Sequence, residues 1–308
     1  MDHEIGDARL TRRAALRLMA AAAAAGPASA GAAAPMLQRP IPSSGEAIPV
    51  IGLGTWRTFD VGGSPAERAP LEEVLQRFVA LGGQVVDSSP MYGAAESVLG
   101  DLGAALAVTD RLFLATKVWT SGREAGIAQM EQSFQRLRVR RLDLMQVHNL
   151  LDWRTHLRAL RAWKQAGRIR YLGVTHYTAS AYDELERVLR SEPLDFVQVN
   201  YSLGEREAER RILPLARERG IAVVVNRPFS EGGLFRRVRG QALPAWAAEV
   251  GCASWAQIFL KWILAHPAVT CVIPATSRPQ HVLDNMTAGT GALPDAATRD
   301  RMAALVAR

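Results

Sequence analysis

The sequence predicts an α/β fold, a (β/α)8 TIM barrel in a single domain, on two observations. From residue 48 onward, short apolar or β-branched runs alternate with longer segments of helical periodicity, which predicts eight strands and eight helices. Strands that are each followed by a helix pair in parallel through right-handed crossovers. Eight such units over about 260 residues have the size of a (β/α)8 barrel.

The predicted elements follow one another without a linker-like interruption. A doubly wound sheet is the alternative, but Gly52-Leu53-Gly54 lacks the third glycine of a dinucleotide-binding turn. The predicted strands are Val50–Gly54, Gln84–Ser88, Leu112–Val118, Leu142–His148, Tyr171–Thr175, Phe196–Tyr201, Ala222–Asn226 and Cys271–Pro274. The predicted helices are Leu71–Leu81, Ala94–Leu106, Ala125–Leu137, Arg154–Ala166, Ala181–Leu189, Glu205–Arg219, Ala253–Leu264 and Arg299–Ala307.

The composition excludes several classes of protein. With 308 residues, 48% of them hydrophobic and 22% charged, the chain is neither a disordered tail, nor a collagen-like fibre, nor a small disulfide scaffold. Its net charge is +7, and only three of the 37 basic residues are lysines. The arginines are scattered and interleaved with acidic residues, a pattern typical of solvated helix faces, so we expect no nucleic-acid partner.

The cysteines and histidines do not predict a metal site. The two cysteines, Cys252 and Cys271, lie outside any CxxC motif, and their spacing leaves open whether they pair. The six histidines form neither an HxxxH nor an HExxH pattern. We therefore expect no structural or catalytic zinc.

Residues 1–30 have the order of an export signal. Arg12-Arg13 precedes an alanine-rich run from Leu18 to Ala25, and Ala28-Ser29-Ala30 offers a cleavage site of small residues. The paired arginines resemble a twin-arginine signal, which predicts the twin-arginine export machinery as a partner and a periplasmic or exported location. A disordered leader on a cytoplasmic protein is the alternative. Alanine is too weakly apolar for a stable membrane span.

The rest of the chain divides into a lead-in and a barrel. Residues 31–47 are predicted to be a lead-in segment, because the stretch Pro35–Pro49 is rich in Pro, Ser and Gly and has little core potential. Residues 48–308 are predicted to form the barrel.

Unusual polar residues lie at or near the carboxyl ends of successive predicted strands. The active sites of (β/α)8 barrels lie at these strand ends. Lys117 lies within an apolar strand, and burying its ammonium is costly unless a carboxylate pairs with it. Asp87, on the neighbouring strand, is a candidate partner. A purely structural ion pair would explain these two residues equally well.

Tyr92 and His148 favour a catalytic interpretation. A nearby cation stabilises a phenolate and lowers the pKa of the phenol, which makes Tyr92 a better proton donor beside Lys117. His148, at the end of the next strand, could donate a hydrogen bond to a substrate oxygen. Together with Asp87, these residues would suit a carbonyl that takes a hydride on carbon and a proton on oxygen.

The chain resembles the aldo-keto reductase family from about Ile48 to Gly289. The family's tetrad of Asp, Tyr, Lys and His falls on Asp87, Tyr92, Lys117 and His148. The matching segments are Ile51–Trp56, Val86–Gly93, Ala115–Val118, Asp143–His148, Gly173–Thr175, Val197–Ser202 and Val272–Thr276.

The resemblance implies that the protein reduces aldehydes or ketones, which are small-molecule carbonyl substrates. The implied cofactor is NADP(H), and NAD(H) is the alternative. Tyr92 would donate the proton, Lys117 would lower its pKa, Asp87 would anchor Lys117, and His148 would orient the carbonyl. Trp56 and Trp119, with Trp153 as a third candidate, would line the substrate pocket. The matching cofactor positions are Gly54, Thr55, Asp87, Thr175, His176, Gln198, Asn226, Thr276, Ser277, Arg278, Asp284 and Asn285.

Three departures from the family pattern bear on the cofactor. Thr175-His176 stands where members usually have Ser-Asn, and Asn226 stands where many have a Tyr that stacks on the nicotinamide. The usual basic residues for the 2′-phosphate fall on Ala275 and His281, which leaves Arg278 as the substitute, since a guanidinium grips phosphate in a bidentate way. A cofactor-binding sensor with little turnover is the alternative function.

Overall fold

Eight parallel strands alternate with helices along the chain. The structure, a computed structural model, describes residues 34–306. Two short strands, β1 and β2, precede the eight and form an antiparallel hairpin of their own. The strands are β1 Gln38–Pro40, β2 Ala47–Pro49, β3 Leu53–Gly54, β4 Val85–Asp87, β5 Phe113–Val118, β6 Leu142–Val147, β7 Ile169–His176, β8 Phe196–Asn200, β9 Ala222–Asn226 and β10 Val269–Val272.

The sheet keeps the order of the chain and curls until its two edges meet. Strands β3 to β10 lie side by side in sequence order, and every pair is parallel. Parallel bridges join Ile51 to Val272 and Gly54 to Ala275 across the seam. The amide of Gly52 donates to the carbonyl of Val272 at 2.8 Å, so the first and last strands are hydrogen-bonded. All eight predicted strands are therefore confirmed, with ends that shift by at most three residues.

Polar caps mark where several helices begin. Ser64 accepts a hydrogen bond from the amide of Glu67, whose carboxylate accepts the Ser64 hydroxyl at 2.6 Å. Ser254 and Asp295 likewise accept an amide hydrogen bond at the start of two later helices. The helices are α1 Pro65–Ala80, α2 Ala95–Ala105, α3 Arg123–Leu137, α4 Trp153–Gln165, α5 Tyr182–Ser191, α6 Glu207–Arg210, α7 Ile212–Glu218, α8 Gly233–Arg237, α9 Trp255–Leu264, α10 Pro279–Thr287 and α11 Ala296–Ala304.

The predicted helix Glu205–Arg219 is two helices. The backbone leaves helical geometry at Arg211, with φ −122° and ψ −61°, between α6 and α7. Pro214 explains the break, because its ring clashes with the carbonyl of the residue four positions earlier. Helices α8 and α10 were not predicted. The second of them starts with Pro279 at its first position, which is a helix-start signal.

The prediction that the lead-in has little core potential is wrong. Ile41 and Ile48, in the hairpin of β1 and β2, are fully buried against apolar side chains of the curled sheet. Arg39 donates to the carbonyls of His266 (3.1 Å), Val269 and Leu264. The Leu264 carbonyl, at the end of α9, has no partner within its helix, so Arg39 satisfies it. The bonds to His266 and Val269 tie the hairpin to the start of β10.

Other predictions meet the structure only in part. The export signal predicted over residues 1–30 lies outside the described residues. Within residues 34–306, no helix is long and apolar enough to cross a membrane. Cys252 and Cys271 are both buried and free, so they do not pair with each other.

We expect Arg39→Ala to lower the free energy of unfolding by about 1–3 kcal/mol, because it leaves buried carbonyls without a donor. Urea titration followed by circular dichroism measures the change. Gln38→Ala, an exposed neighbour in the same strand, is the matched control. Equal stability of the two variants would show that the Arg39 contacts contribute nothing.

Candidate active site

The side chains that point into the curled sheet change from apolar to polar toward the carboxyl ends of the strands. In β5, Phe113 and Ala115 are followed two residues later by Lys117. In β6, Leu144 is followed by Gln146. Because alternate residues of a strand face the same side, the inner space has an apolar end and a polar end. The apolar end comprises Ile41, Ile48, Val85, Phe113, Ala115, Leu144, Tyr171, Phe196, Ala222, Val224, Cys271 and Ile273.

Lys117 and Asp87 form a buried ion pair at the polar end. Lys117 is 0% exposed and Asp87 is 3% exposed. The Lys117 Nζ donates to Asp87 Oδ2 at 2.6 Å and to the Ser88 carbonyl at 2.7 Å. Burial by itself lowers the pKa of Lys117, but Asp87 and Tyr92 outweigh burial, so that the pKa is raised. The ammonium is therefore charged at neutral pH.

The second oxygen of Asp87 is the end of a chain of side-chain amides. Asp87 Oδ1 accepts from Gln198 Nε2 at 2.9 Å and from Gln146 Nε2 at 3.3 Å. Gln198 Oε1 in turn accepts from Asn226 Nδ2 at 3.3 Å. A carboxylate only accepts hydrogen bonds, so it orients every amide of the chain. The chain ends in two buried oxygens, Asn226 Oδ1 and Gln146 Oε1, that have no partner among the described residues.

Tyr92 lies between the ion pair and His148. The Lys117 Nζ is 5.0 Å from the centroid of the Tyr92 ring. The rings of Tyr92 and His148 meet edge to face, with centroids 5.9 Å apart and an interplanar angle of 82°. Burial raises the pKa of Tyr92, and the charge of Lys117 opposes that rise. The lowering predicted from the sequence is thus smaller than the effect of burial, and the phenol is protonated at neutral pH.

His148 is a neutral imidazole beside the hydroxyl of Ser89. It is 7% exposed, and its Nδ1 lies 3.2 Å from Ser89 Oγ. That hydroxyl also accepts a hydrogen bond from the amide of Met91 at 3.4 Å. When the hydroxyl donates to Nδ1, the proton of the neutral ring is on Nε2. Burial, followed by the charges of Lys117 and His176, lowers the pKa of His148 to about 2.

The predicted cofactor residues of the first strands surround this centre. Gly54 pairs with Asp87 in the register of β3 and β4. The buried Thr55 hydroxyl donates to the Asp87 carbonyl at 3.0 Å. In β7, Thr175 Oγ1 accepts the amide of Asn149 at 3.1 Å, and His176 Nδ1 accepts the amide of Thr178 at 3.2 Å. Burial lowers the pKa of His176.

The cofactor residues predicted after the last strand differ in exposure. Ser277 and Arg278 are exposed, whereas Thr276 and Asn285 are buried. Arg278 has no ion-pair partner among the described residues. The Asp284 carboxylate accepts from Ser254 Oγ at 2.9 Å and from Gln257 Nε2 at 2.7 Å, so it binds the start of α9.

Two of the three predicted substrate tryptophans are exposed. Trp56 is 37% exposed and Trp119 is 41% exposed, and each follows the carboxyl end of a strand. Trp153 is buried in α4, and its Nε1 donates to Glu184 Oε1 at 3.0 Å. Trp153 therefore packs in the hydrophobic core, and its role as a pocket residue stays a prediction.

The sequence prediction omitted Ser89 and Gln146. Gln146 had a readable signal, because it is a polar residue in an apolar strand, two positions before His148 and thus on the same face. Ser89 had none, since a serine in a loop is ordinary. No group of histidine, cysteine and acidic side chains among residues 34–306 is arranged to hold a metal ion.

A protonated phenol, a buried ammonium–carboxylate pair and a neutral imidazole at the carboxyl ends of parallel strands form an arrangement suited to acid–base chemistry in an α/β enzyme. A family model described as "Aldo/keto reductase family" matches residues 50–300. The chain belongs to the aldo/keto reductase family.

Similar proteins agree with this assignment. The methylglyoxal reductase YeaE of Escherichia coli is 29% identical over 260 residues, which cover 81% of this chain and 89% of that protein. An aldo/keto reductase of Klebsiella pneumoniae in complex with NADP and acetate is 27% identical, with a TM-score of 0.70 over 85% of this chain and 93% of its own. A Klebsiella pneumoniae structure in complex with NADPH is 26% identical, with a TM-score of 0.72 over 88% and 96%.

We expect the ring signals of His148 to show no titration between pH 5 and 8. Its pKa of about 2 lies far below the ordinary value of 6.5, so the ring is neutral over this range. Nuclear magnetic resonance of histidine-labelled protein measures this, and His148→Gln assigns the signals. A midpoint above pH 5 would contradict the assigned neutral state.

Proposed function

We propose that this protein reduces aldehydes or ketones to alcohols with NADP(H), with Tyr92 as proton donor. The observation that carries the proposal is the buried pair of Lys117 and Asp87 beside the protonated phenol of Tyr92. Similarity to a protein named methylglyoxal reductase supports a carbonyl substrate. Similarity to structures that hold NADP and NADPH supports the cofactor.

Tyr92 donates the proton, and Lys117 stabilises the phenolate that remains. A hydride added to the carbonyl carbon leaves negative charge on the oxygen, which takes the proton of the Tyr92 hydroxyl. The phenolate that results is stabilised by the ammonium of Lys117, whose charge Asp87 holds in place. The positive charge of Lys117 thus stabilises mainly the phenolate that forms as the proton is transferred. This stabilisation assists catalysis because it acts on charge that develops during the reaction.

His148 orients the carbonyl. Its Nε2 proton is a neutral donor that can bond the substrate oxygen without competing with Tyr92 to protonate it, because the pKa of His148 is lowered to about 2. Ser89 sets this tautomer through Nδ1. The exposed rings of Trp56 and Trp119 would contact the remainder of the substrate.

The residues present fit a nicotinamide cofactor. When bound, NADPH supplies the hydride. Asn226 Oδ1 is a buried acceptor that lacks a donor among residues 34–306, and a primary carboxamide offers N–H groups to such an atom. Gln198, Thr175 and His176 would complete the contacts to that carboxamide. Asn226 cannot stack as an aromatic ring does, but it holds Gln198 by a hydrogen bond.

The loop after β10 would hold the phosphates. Arg278 is exposed and has no carboxylate partner among residues 34–306, so its guanidinium is free for a 2′-phosphate. This favours NADP(H) over NAD(H). The other residues assigned to the cofactor are Gly54, Thr55, Asp87, Thr276, Ser277, Asp284 and Asn285.

Replacing Tyr92 by Phe removes the proton donor and keeps the ring. We expect kcat for aldehyde reduction to fall by about 10²–10⁴-fold, the contribution typical of general acid catalysis. The Kd for NADPH, followed by its fluorescence, should not change. Full activity of Tyr92→Phe would reject the mechanism. NADPH binding without turnover in the unaltered protein would identify a cofactor-binding sensor instead.

We also propose that the protein is exported by the twin-arginine machinery. The pair Arg12-Arg13 before the alanine-rich run supports this. Changing both arginines to lysine should leave the protein in the cytoplasmic fraction, as measured by cell fractionation and immunoblotting. An unchanged distribution of this variant between the fractions would reject the signal.

A further inference from the structure

Loop 119–122, which directly follows β5, is held by side chains of other elements. Gln129, in α3, binds both backbone groups of Trp119. The Trp119 amide donates to Gln129 Oε1 at 2.5 Å, and Gln129 Nε2 donates to the Trp119 carbonyl at 3.1 Å. One side-chain amide thus makes the pair of bonds that a neighbouring strand would make.

Two residues near the start of α4 hold the remainder of the loop. His156 Nε2 donates to the Thr120 carbonyl at 2.6 Å. The Gly122 amide donates to Asp152 Oδ2 at 2.8 Å. The segment that leads into α4 begins at His148, so these bonds connect loop 119–122 to the segment that carries the catalytic imidazole.

The packing of α3 against His156 indicates that this connection is specific. A Cβ atom at Gly126 would lie 2.4 Å from His156 Cε1, so only glycine leaves room for the imidazole. A glycine inside a helix is destabilising relative to alanine. The closely packed imidazole is the one that reaches the Thr120 carbonyl.

Loop 119–122 carries the side chain of Trp119, which does not serve to fill the core. Trp119 is 41% exposed, so its position is not explained by burial. It follows Lys117 by two residues and is the first residue after β5. Val118 pairs with Val147 in the sheet, so Trp119 and His148 each follow a paired residue at the carboxyl ends of adjacent strands.

We propose that Gln129, His156 and Asp152 are positioning residues that fix Trp119 as a preformed apolar wall next to His148. A wall that is already ordered loses little entropy when a ligand packs on it, so it favours carbonyl substrates with an aromatic or bulky apolar group. This inference rests on the proposed function in one respect, that His148 binds the substrate carbonyl.

Gln129→Ala tests the clamp, and Gln132→Ala is its matched control. Gln132 lies exposed on the same helix, and its side chain makes no hydrogen bond with another described residue. We expect Gln129→Ala to raise KM for benzaldehyde roughly tenfold, about 1.4 kcal/mol, with kcat nearly unchanged. KM for methylglyoxal and Kd for NADPH should stay at the values of the unaltered protein. Gln129→Glu keeps the acceptor for the Trp119 amide and should restore part of the loss.

Calorimetry of benzaldehyde binding in the presence of NADP⁺ separates this proposal from the reductase itself, because no hydride is then available. Binding that weakens in Gln129→Ala but not in Gln132→Ala supports the clamp even if the protein reduces no aldehyde. Turnover with an unchanged ratio of benzaldehyde to methylglyoxal efficiency in Gln129→Ala overturns the clamp and leaves the reductase intact. The absence of benzaldehyde binding in the unaltered protein also overturns it. If Gln129→Ala does not fold, Gln129→Glu and His156→Ala are measured against the same outcomes.

Discussion

The buried ammonium of Lys117 is the constraint on which the site depends. A cation without solvent would be prohibitively costly alone, so the sheet supplies Asp87 at 2.6 Å and the Ser88 carbonyl at 2.7 Å. Asp87 must in turn be held, and Gln146 and Gln198 donate to its other oxygen. One charge on β5 thus determines the polar residues on three other strands.

The same constraint explains why the inner space has two ends. The apolar end packs as a core, closed by Ile41 and Ile48 of the hairpin. The polar end has buried amide oxygens without partners in the described part of the chain, which cost free energy in the protein alone and suit a ligand that donates hydrogen bonds. The packed core and the candidate site therefore occupy opposite ends of the same strands.

Particular residues show how far the sequence could be interpreted. The alternation of apolar runs and helical segments predicted all eight strands, because every strand is buried. It did not reveal the hairpin, whose two isoleucines are isolated in a segment rich in Pro and Ser. Pro214 is a helix breaker, but the helical periodicity of the residues around it led to the prediction of a single helix. Trp153 could not be told from Trp119, since only the fold decides which indole reaches the surface.

The sequence alone determined the order of the elements and the identity of the four candidate acid–base residues, because strand periodicity and the type of ionisable group are local properties. The tertiary structure decided what each group does. Whether the pKa of Tyr92 is raised or lowered depends on which effect is larger, burial or the charge of Lys117. The tautomer of His148 depends on the hydroxyl of Ser89, which lies on another loop. The contacts of Gln129 are likewise set by the tertiary structure, because burial and hydrogen-bond geometry are established only once separate segments have packed together.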